Sequence, residues 1–89
     1  MKAFFTKSFK KSYAKRIRQN KNLIKRFDQR YDLFIDDPSE EVLKDHKLSG
    51  KLQGYRSFSV TGDIRVVYYI HHDMAYFVDI GTHNQIYGR

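Results

Sequence analysis

Residues 54–83 read GYRSFSVTGDIRVVYYIHHDMAYFVDIGTH, a stretch rich in β-branched and aromatic residues. They concentrate in three runs, 55–60, 64–70 and 75–80, separated by Thr61-Gly62 and by His71-His72-Asp73. Those spacings suit hairpins, so the stretch predicts three consecutive antiparallel strands. Alternation then sorts the side chains, because successive strand residues point to opposite faces. Phe58 and Val60 share one face with Ile64, Val66, Tyr68 and Ile70, and the same count turns Tyr76, Val78 and Ile80 inward. Ser57, Ser59, Asp63, Arg65, Val67 and Tyr69 fall on the other face with Phe77 and Asp79, and continuing the parity brings His83 there as well. Arg56 has core parity, which the pattern explains only at a sheet edge.

Upstream the period lengthens to that of a helix. Ala3-Phe4-Phe5 reads as a first strand, and Thr6 or Ser8 can cap a helix immediately after it. Phe9, Tyr13, Ala14 and Ile17 then recur on one helical face, with Lys7, Lys10, Lys11, Lys15 and Arg18 largely elsewhere. Asn20 punctuates the chain. Leu23, Ile24, Phe27, Tyr31, Phe34 and Ile35 mark a second helix, stopped at Asp37-Pro38 because proline disfavours helix at the residue before it. Residues 39–53 are polar and read as a short helical turn and a loop. The expected architecture is β-α-α-β-β-β in one domain over residues 1–89: an α+β sandwich of an antiparallel sheet with a helical hairpin on one face, its core including Phe9, Phe27, Tyr31 and Phe34.

The chain has 89 residues, seven Tyr, seven Phe and no cysteine, so neither disulfides nor thiolate metal sites can staple the fold. No apolar run approaches the roughly 20 residues needed to cross a bilayer, and the N-terminus lacks an apolar signal region, so a soluble cytoplasmic protein is expected. The net charge of +7 is unevenly spread. Residues 1–30 carry eleven Lys/Arg against Asp28 alone, whereas residues 31–46 carry six acids against Lys44. A cationic segment gains by releasing counterions from a polyanion, so nucleic acid or the ribosome is the natural partner. The competing explanation is a lysine-rich helix face that only keeps a small protein in solution.

A sheet face bearing Asp63, Arg65 and His83 can support phosphodiester cleavage. RNA supplies its own nucleophile, the 2′-hydroxyl; the protein must supply a base, an acid for the 5′-oxygen and a cation for the transition-state charge. Histidine suits either proton-transfer role. Exposed histidines and acids are also commonly just solvated. His71, His72 and Asp73 resemble metal ligands by composition, but adjacent strand residues point apart, so they are read as a turn and no metal or other cofactor is assigned.

His46-Lys47-Leu48-Ser49-Gly50, Gly54-Tyr55-Arg56, Asp63 to Tyr68 and Gly81-Thr82-His83 form an ordered series. It resembles the YafQ-type branch of the RelE/ParE toxin superfamily, whose pattern runs H-x-L-x-G, G-x-R, D-x-x-x-x-Y, G-T-H. The resemblance covers residues 46–88 by motif and residues 1–45 by layout. It implies a toxin of a type II toxin–antitoxin system: an endoribonuclease that cuts mRNA in the ribosomal A site without a metal and is silenced by an acidic antitoxin from the same operon. By position it implies His46 and His83 as general base and general acid, in that order or reversed, with Asp63 orienting a histidine or sharing the proton transfers. Arg56 and Arg65 would stabilise phosphate charge, and Tyr87 would stack on a base or touch the phosphate. Lys10, Lys11 and Lys15 would meet 16S ribosomal RNA or the antitoxin. The chain departs from the pattern at Ser59, where the family usually has another histidine, and at Ser57, where it often has an acid. Serine can hydrogen-bond phosphate but cannot shuttle protons at neutral pH. Two non-catalytic alternatives stand beside the ribonuclease: a ParE-like poison of DNA gyrase and a degenerate relative that binds only its antitoxin.

Overall fold

The computed structural model describes residues 1–88. A first strand β1 (Lys2–Phe5) leads into helices α1 (Lys7–Arg16) and α2 (Lys21–Asp36). Strands β2 (His46–Lys47), β3 (Arg56–Ser59), β4 (Ile64–His71) and β5 (Met74–Thr82) come next, and a short helix α3 (His83–Tyr87) closes the described chain. Two single-turn 3-10 segments, Glu41–Leu43 and Gly50–Leu52, punctuate the polar region before β3.

The helix boundaries have local causes. Thr6 caps α1, its hydroxyl accepting from the Phe9 amide, and Asn20 caps α2 by accepting from the Asn22 and Leu23 amides. α2 ends at Asp36, where Asp37 turns extended ahead of Pro38. Between β4 and β5, His72 and Asp73 both adopt positive φ, 49° and 64°, as a tight two-residue hairpin requires. Those two residues thus close a turn.

The sheet runs β1-β5-β4-β3-β2. It is antiparallel except at its margin, where β1 lies parallel to β5. The helical hairpin buries one face. Phe9, Phe27 and Phe34 are buried from the helices, Phe58, Val66, Tyr68, Ala75, Phe77 and Ile80 from the strands, and Val60 from the bend just after β3. Phe77 stands at the centre, ring to ring with Phe5, Phe9, Tyr31, Phe34, Phe58 and Tyr68 at 5.2–6.2 Å between centroids.

Phe77 is therefore a core residue, contrary to simple alternation along β5. The register with β4 slips between Val67, opposite Asp79, and Tyr68, opposite Phe77, so Val78 is an extra residue. Such a bulge inverts the parity of everything on one side of it. Ala75 and Phe77 face the helices, while Tyr76 joins the open face. The bulge sits where β1 turns into α1: Thr6 donates from both its amide and its hydroxyl to the Phe77 carbonyl, and the Ser8 hydroxyl donates to the Val78 carbonyl. Backbone carbonyls that a regular ladder would pair inside the sheet are satisfied by the start of the helix.

Candidate functional site

The open face of the sheet holds a small hollow of about 150 Å³, lined by His46, Leu48, Ser57, Arg65, Val67, His83, Ile86 and Tyr87. Residues from β2, β3, β4 and α3 meet there although they are separated by up to 41 positions along the chain. His46 lies opposite Ser57 in the β2–β3 pair, Ser57 lies opposite Val67 in the β3–β4 pair, and Arg65 precedes Val67 by two positions on the same face. From the other side α3 delivers His83 and Tyr87, one helical turn apart, with ring centroids 4.7 Å from each other.

α3 is held by a capping box: the Gln85 amide donates to the Thr82 hydroxyl, and the Thr82 amide donates to the Gln85 side-chain carbonyl. Thr82-His83-Asn84-Gln85 carries that signature in the sequence, so this helix could have been anticipated. It takes His83 out of strand geometry and places it at the first helical position.

Arg65 is the anchored cation of the hollow. Its Nε donates to Ser57 Oγ at 2.7 Å, and its Nη2 donates to the Ser57 carbonyl at 3.1 Å and to the Lys44 carbonyl at 2.8 Å. Nη1 has no protein acceptor among the described residues. Burial lowers the Arg65 pKa from its ordinary value, against the opposing influence of Asp45 and Tyr87. A guanidinium starts so far above neutrality that it stays charged.

The Lys44 carbonyl also receives His46: Nδ1 lies 2.9 Å from it, and Lys44 is in the left-handed conformation with φ 48°. With the proton on Nδ1 donated to that carbonyl, Nε2 keeps the lone pair that a general base needs. The same Nδ1 lies 3.3 Å from Arg65 Nη2, which places the imidazole beside the guanidinium.

Asp63 stands just outside this hollow. It is exposed in the bend before β4 and borders an adjoining depression with Gly62, Arg65, Thr82, His83 and Asn84. Its amide donates to the Thr61 hydroxyl, and so does that of Ile64, which fixes the bend. Asp63 is thus a neighbour of His83 and Arg65 rather than of His46.

Other expected site residues lie elsewhere. Arg56 points to the helix-covered side, where its Nε donates to Asp45 Oδ1 at 2.7 Å and the Tyr68 hydroxyl donates to Asp45 Oδ2. The Asp45 side chain is 7% exposed, a nearly buried carboxylate satisfied by two donors. Burial works against the Arg56 charge, but the hydrogen bonds to Asp45 and Tyr68 outweigh it and raise its pKa. This resolves the core parity of Arg56: it is an ion-pair partner beside a sheet edge, outside the hollow. A wider depression of about 600 Å³ surrounds it, lined also by Met1, Pro38, Glu40 and Ile70, and contains no histidine.

Ser59 is buried, and its hydroxyl donates to the Thr61 carbonyl at 2.7 Å, so it closes a turn rather than presenting a donor to a ligand. Lys10 lines the groove between α1 and α2 with Phe5, Tyr13 and Asp28. Lys11 is exposed on α1, and Lys15 borders a depression with Arg16, Asn84 and Gln85 beside α3. Only Lys15 of the three approaches the element that carries His83. Sequence reasoning missed Asp45 and the anchoring role of Ser57. The signal for the second was its cross-strand position relative to Arg65 and Val67.

Residues 1–88 match the sequence profile of the family described as the YafQ toxin of bacterial type II toxin–antitoxin systems. Among solved structures, the fold is similar to that of a point mutant of YafQ from E. coli, with TM-score 0.81 and 24% identity over 97% of each chain. A chain of the E. coli DinJ-YafQ complex is similar with TM-score 0.78 and 24% identity over 97% of each chain. The YoeB/ParE toxin from Agrobacterium tumefaciens is similar with TM-score 0.75 and 21% identity over 93% of this chain and 99% of that one. No curated protein matches significantly by sequence.

Proposed function

Because the chain belongs to the YafQ family of type II toxin–antitoxin toxins, we propose that it is an endoribonuclease that cuts mRNA in the ribosomal A site through the hollow on its open face. The observation that supports this reading best is the convergence of His46, Arg65, His83 and Tyr87 on one cavity. In the proposed reaction His46 Nε2 takes the proton of the 2′-hydroxyl. The 2′-oxygen bonds to phosphorus, the bond from phosphorus to the 5′-oxygen breaks, and protonated His83 gives its proton to that oxygen. The products are a 2′,3′-cyclic phosphate and a 5′-hydroxyl. The roles of the two histidines are interchangeable on this geometry. Arg65, held by three hydrogen bonds, faces the equatorial charge of the transition state with little reorganisation. Asp63 borders the same depression as His83, and Tyr87 packs the His83 ring while offering a surface to a base. The chemistry requires no metal, because the nucleophile belongs to the substrate.

The hollow has room for about five waters at their liquid volume. That suits a phosphate and its ribose hydroxyl, with the rest of the RNA lying across the surface. We extend to this chain the partner type of the E. coli DinJ-YafQ toxin-antitoxin complex: an antitoxin, here expected to be acidic, that covers the basic surface. Among the described residues no helix is long and apolar enough to cross a membrane. The proposed site of action is the cytoplasm, where the ribosomes are.

Primer extension on a translated mRNA after induction tests the reading. Codon-phased cuts abolished by His83→Ala and by His46→Ala support it. Supercoiling defects without cuts would instead identify a gyrase poison, and neither cuts nor growth arrest would identify an inert antitoxin binder.

A further inference from the structure

Beyond the hollow, the helix-free face carries a row of four aromatic rings that neither the core nor the proposed chemistry uses. Tyr69 on β4 lies opposite Tyr76 on β5, and Tyr76 lies opposite Phe4 on β1. Tyr55, one step past the Arg56–Tyr68 pair, continues the row towards β3. The rings are in contact along its length: Tyr55–Tyr69 at 5.8 Å between centroids, Tyr69–Tyr76 at 5.1 Å with planes 9° apart, and Tyr76–Phe4 at 5.6 Å. Phe4, at the sheet margin, is 53% exposed. Among the described residues no buried side-chain polar atom lacks a partner, and the hydroxyls of Tyr55, Tyr69 and Tyr76 make no hydrogen bond to protein, so all three reach solvent.

We infer that this row is a second RNA-contacting site, an aromatic platform for single-stranded bases flanking the scissile phosphate. The inference rests on the reading that the hollow takes RNA, and four observations favour RNA as the occupant. The row is continuous with the hollow: Arg65, Val67 and Tyr69 alternate along one face of β4, so the platform begins about 7 Å from the hollow's floor. The hollow is too small to bury a nucleotide, so neighbouring nucleotides must run over adjacent surface. The rings also suit the ligand, since aromatic side chains on a sheet stack unpaired bases whatever their sequence, and tyrosine hydroxyls can bond base edges and ribose hydroxyls. Lys2, on the same side of β1 as Phe4, and the net charge of +7 match the phosphates.

The test is fluorescence anisotropy with 2′-O-methylated oligoadenylates of three and nine nucleotides, which bind without being cut. The wild type is expected to bind the nine-mer at least tenfold more tightly than the three-mer. Phe4→Thr with Tyr76→Thr, substitutions that keep strand preference, is expected to reduce that advantage about tenfold while leaving three-mer affinity unchanged. Tyr76→Trp should preserve it, which separates stacking from strand integrity, and circular dichroism confirms that each variant folds. A length advantage that the double substitution leaves intact overturns the inference, even if the same substitutions weaken docking of another protein on this face. Cleavage assays on His83→Ala score the ribonuclease reading separately, so a dead platform with active cutting and an inactive hollow with length-dependent binding are distinguishable.

Discussion

Arg65 Nε donates to Ser57 Oγ at 2.7 Å, across adjacent strands and on the face that carries the two histidines. Ser57 is 1% exposed, so its hydroxyl serves Arg65 and is not available to RNA. Ser57 therefore positions a cation, and a serine hydroxyl cannot shuttle a proton at neutral pH.

Ser57→Ala should lower the cleavage rate about tenfold, the loss of part of one preorganised electrostatic contact. Arg65 keeps two carbonyl acceptors, so the change in stability should stay near 1 kcal/mol. A kcat loss with nearly unchanged KM, measured in a reconstituted translation system, checks the assignment. Ser57→Thr should recover activity, because it restores the hydroxyl.

The Asp45 cluster predicts a different outcome. Asp45→Ala leaves the Tyr68 hydroxyl without its acceptor and Arg56 without its partner, and should cost about 1–3 kcal/mol in urea unfolding. Arg56→Ala should cost less, since that side chain is 36% exposed. Neither residue lines the hollow, so both variants should cut RNA at rates close to wild type once folded.

Tyr68 makes the same cluster sensitive to alkali. Burial raises the phenol pKa above its ordinary 10, and the hydrogen bond to Asp45 adds to the effect. The fold binds the neutral phenol more tightly than the unfolded chain does, so this contribution is complete below pH 10. It is lost as pH rises from there towards the folded-state value. Urea midpoints measured between pH 8 and 11 should fall less steeply for Tyr68→Phe than for wild type.

Gly81 tests the seat of His83. A Cβ there would lie 2.7 Å from Gln85 Oε1 and 2.8 Å from Arg16 Nη1. Both are ends of flexible side chains, but Gln85 closes the capping box of α3 and Arg16 donates to Asp79 and to the Ile80 carbonyl. Gly81→Ala should therefore cost about 1 kcal/mol, the size of a lost cap. Cutting should fall more than stability does, as compared by kcat and urea midpoint.

Much of this arrangement was legible in the amino-acid order. The 3.6-residue recurrence of Phe9, Phe27, Tyr31 and Phe34 gave the hairpin and its buried face, and Asn20 and Asp37-Pro38 marked its joints. The alternation of Arg65, Val67 and Tyr69 placed them together on the open face. Alternation failed at Phe77 because the bulge at Val78 depends on Thr6 and Ser8 reaching β5 from 70 or more positions away. No local pattern records such a contact. Alternation put Arg56 on the core side, where it lies, but its partner Asp45 belongs to the polar region before β3, where neither period applies, so the ion pair was not legible.

In the proposed reaction His46 and His83 move protons at one phosphodiester while Arg65 holds its charge. That reaction is tested most directly by single-turnover cleavage of ribosome-bound mRNA by purified protein, with the new ends identified chemically. The expected ends are a 5′-hydroxyl and a 2′,3′-cyclic phosphate, with rates reduced about 10²–10⁴-fold in His46→Ala and in His83→Ala and about 10²-fold or more in Arg65→Ala. Cutting at the wild-type rate by the His46→Ala, His83→Ala double variant would contradict the proposed reaction.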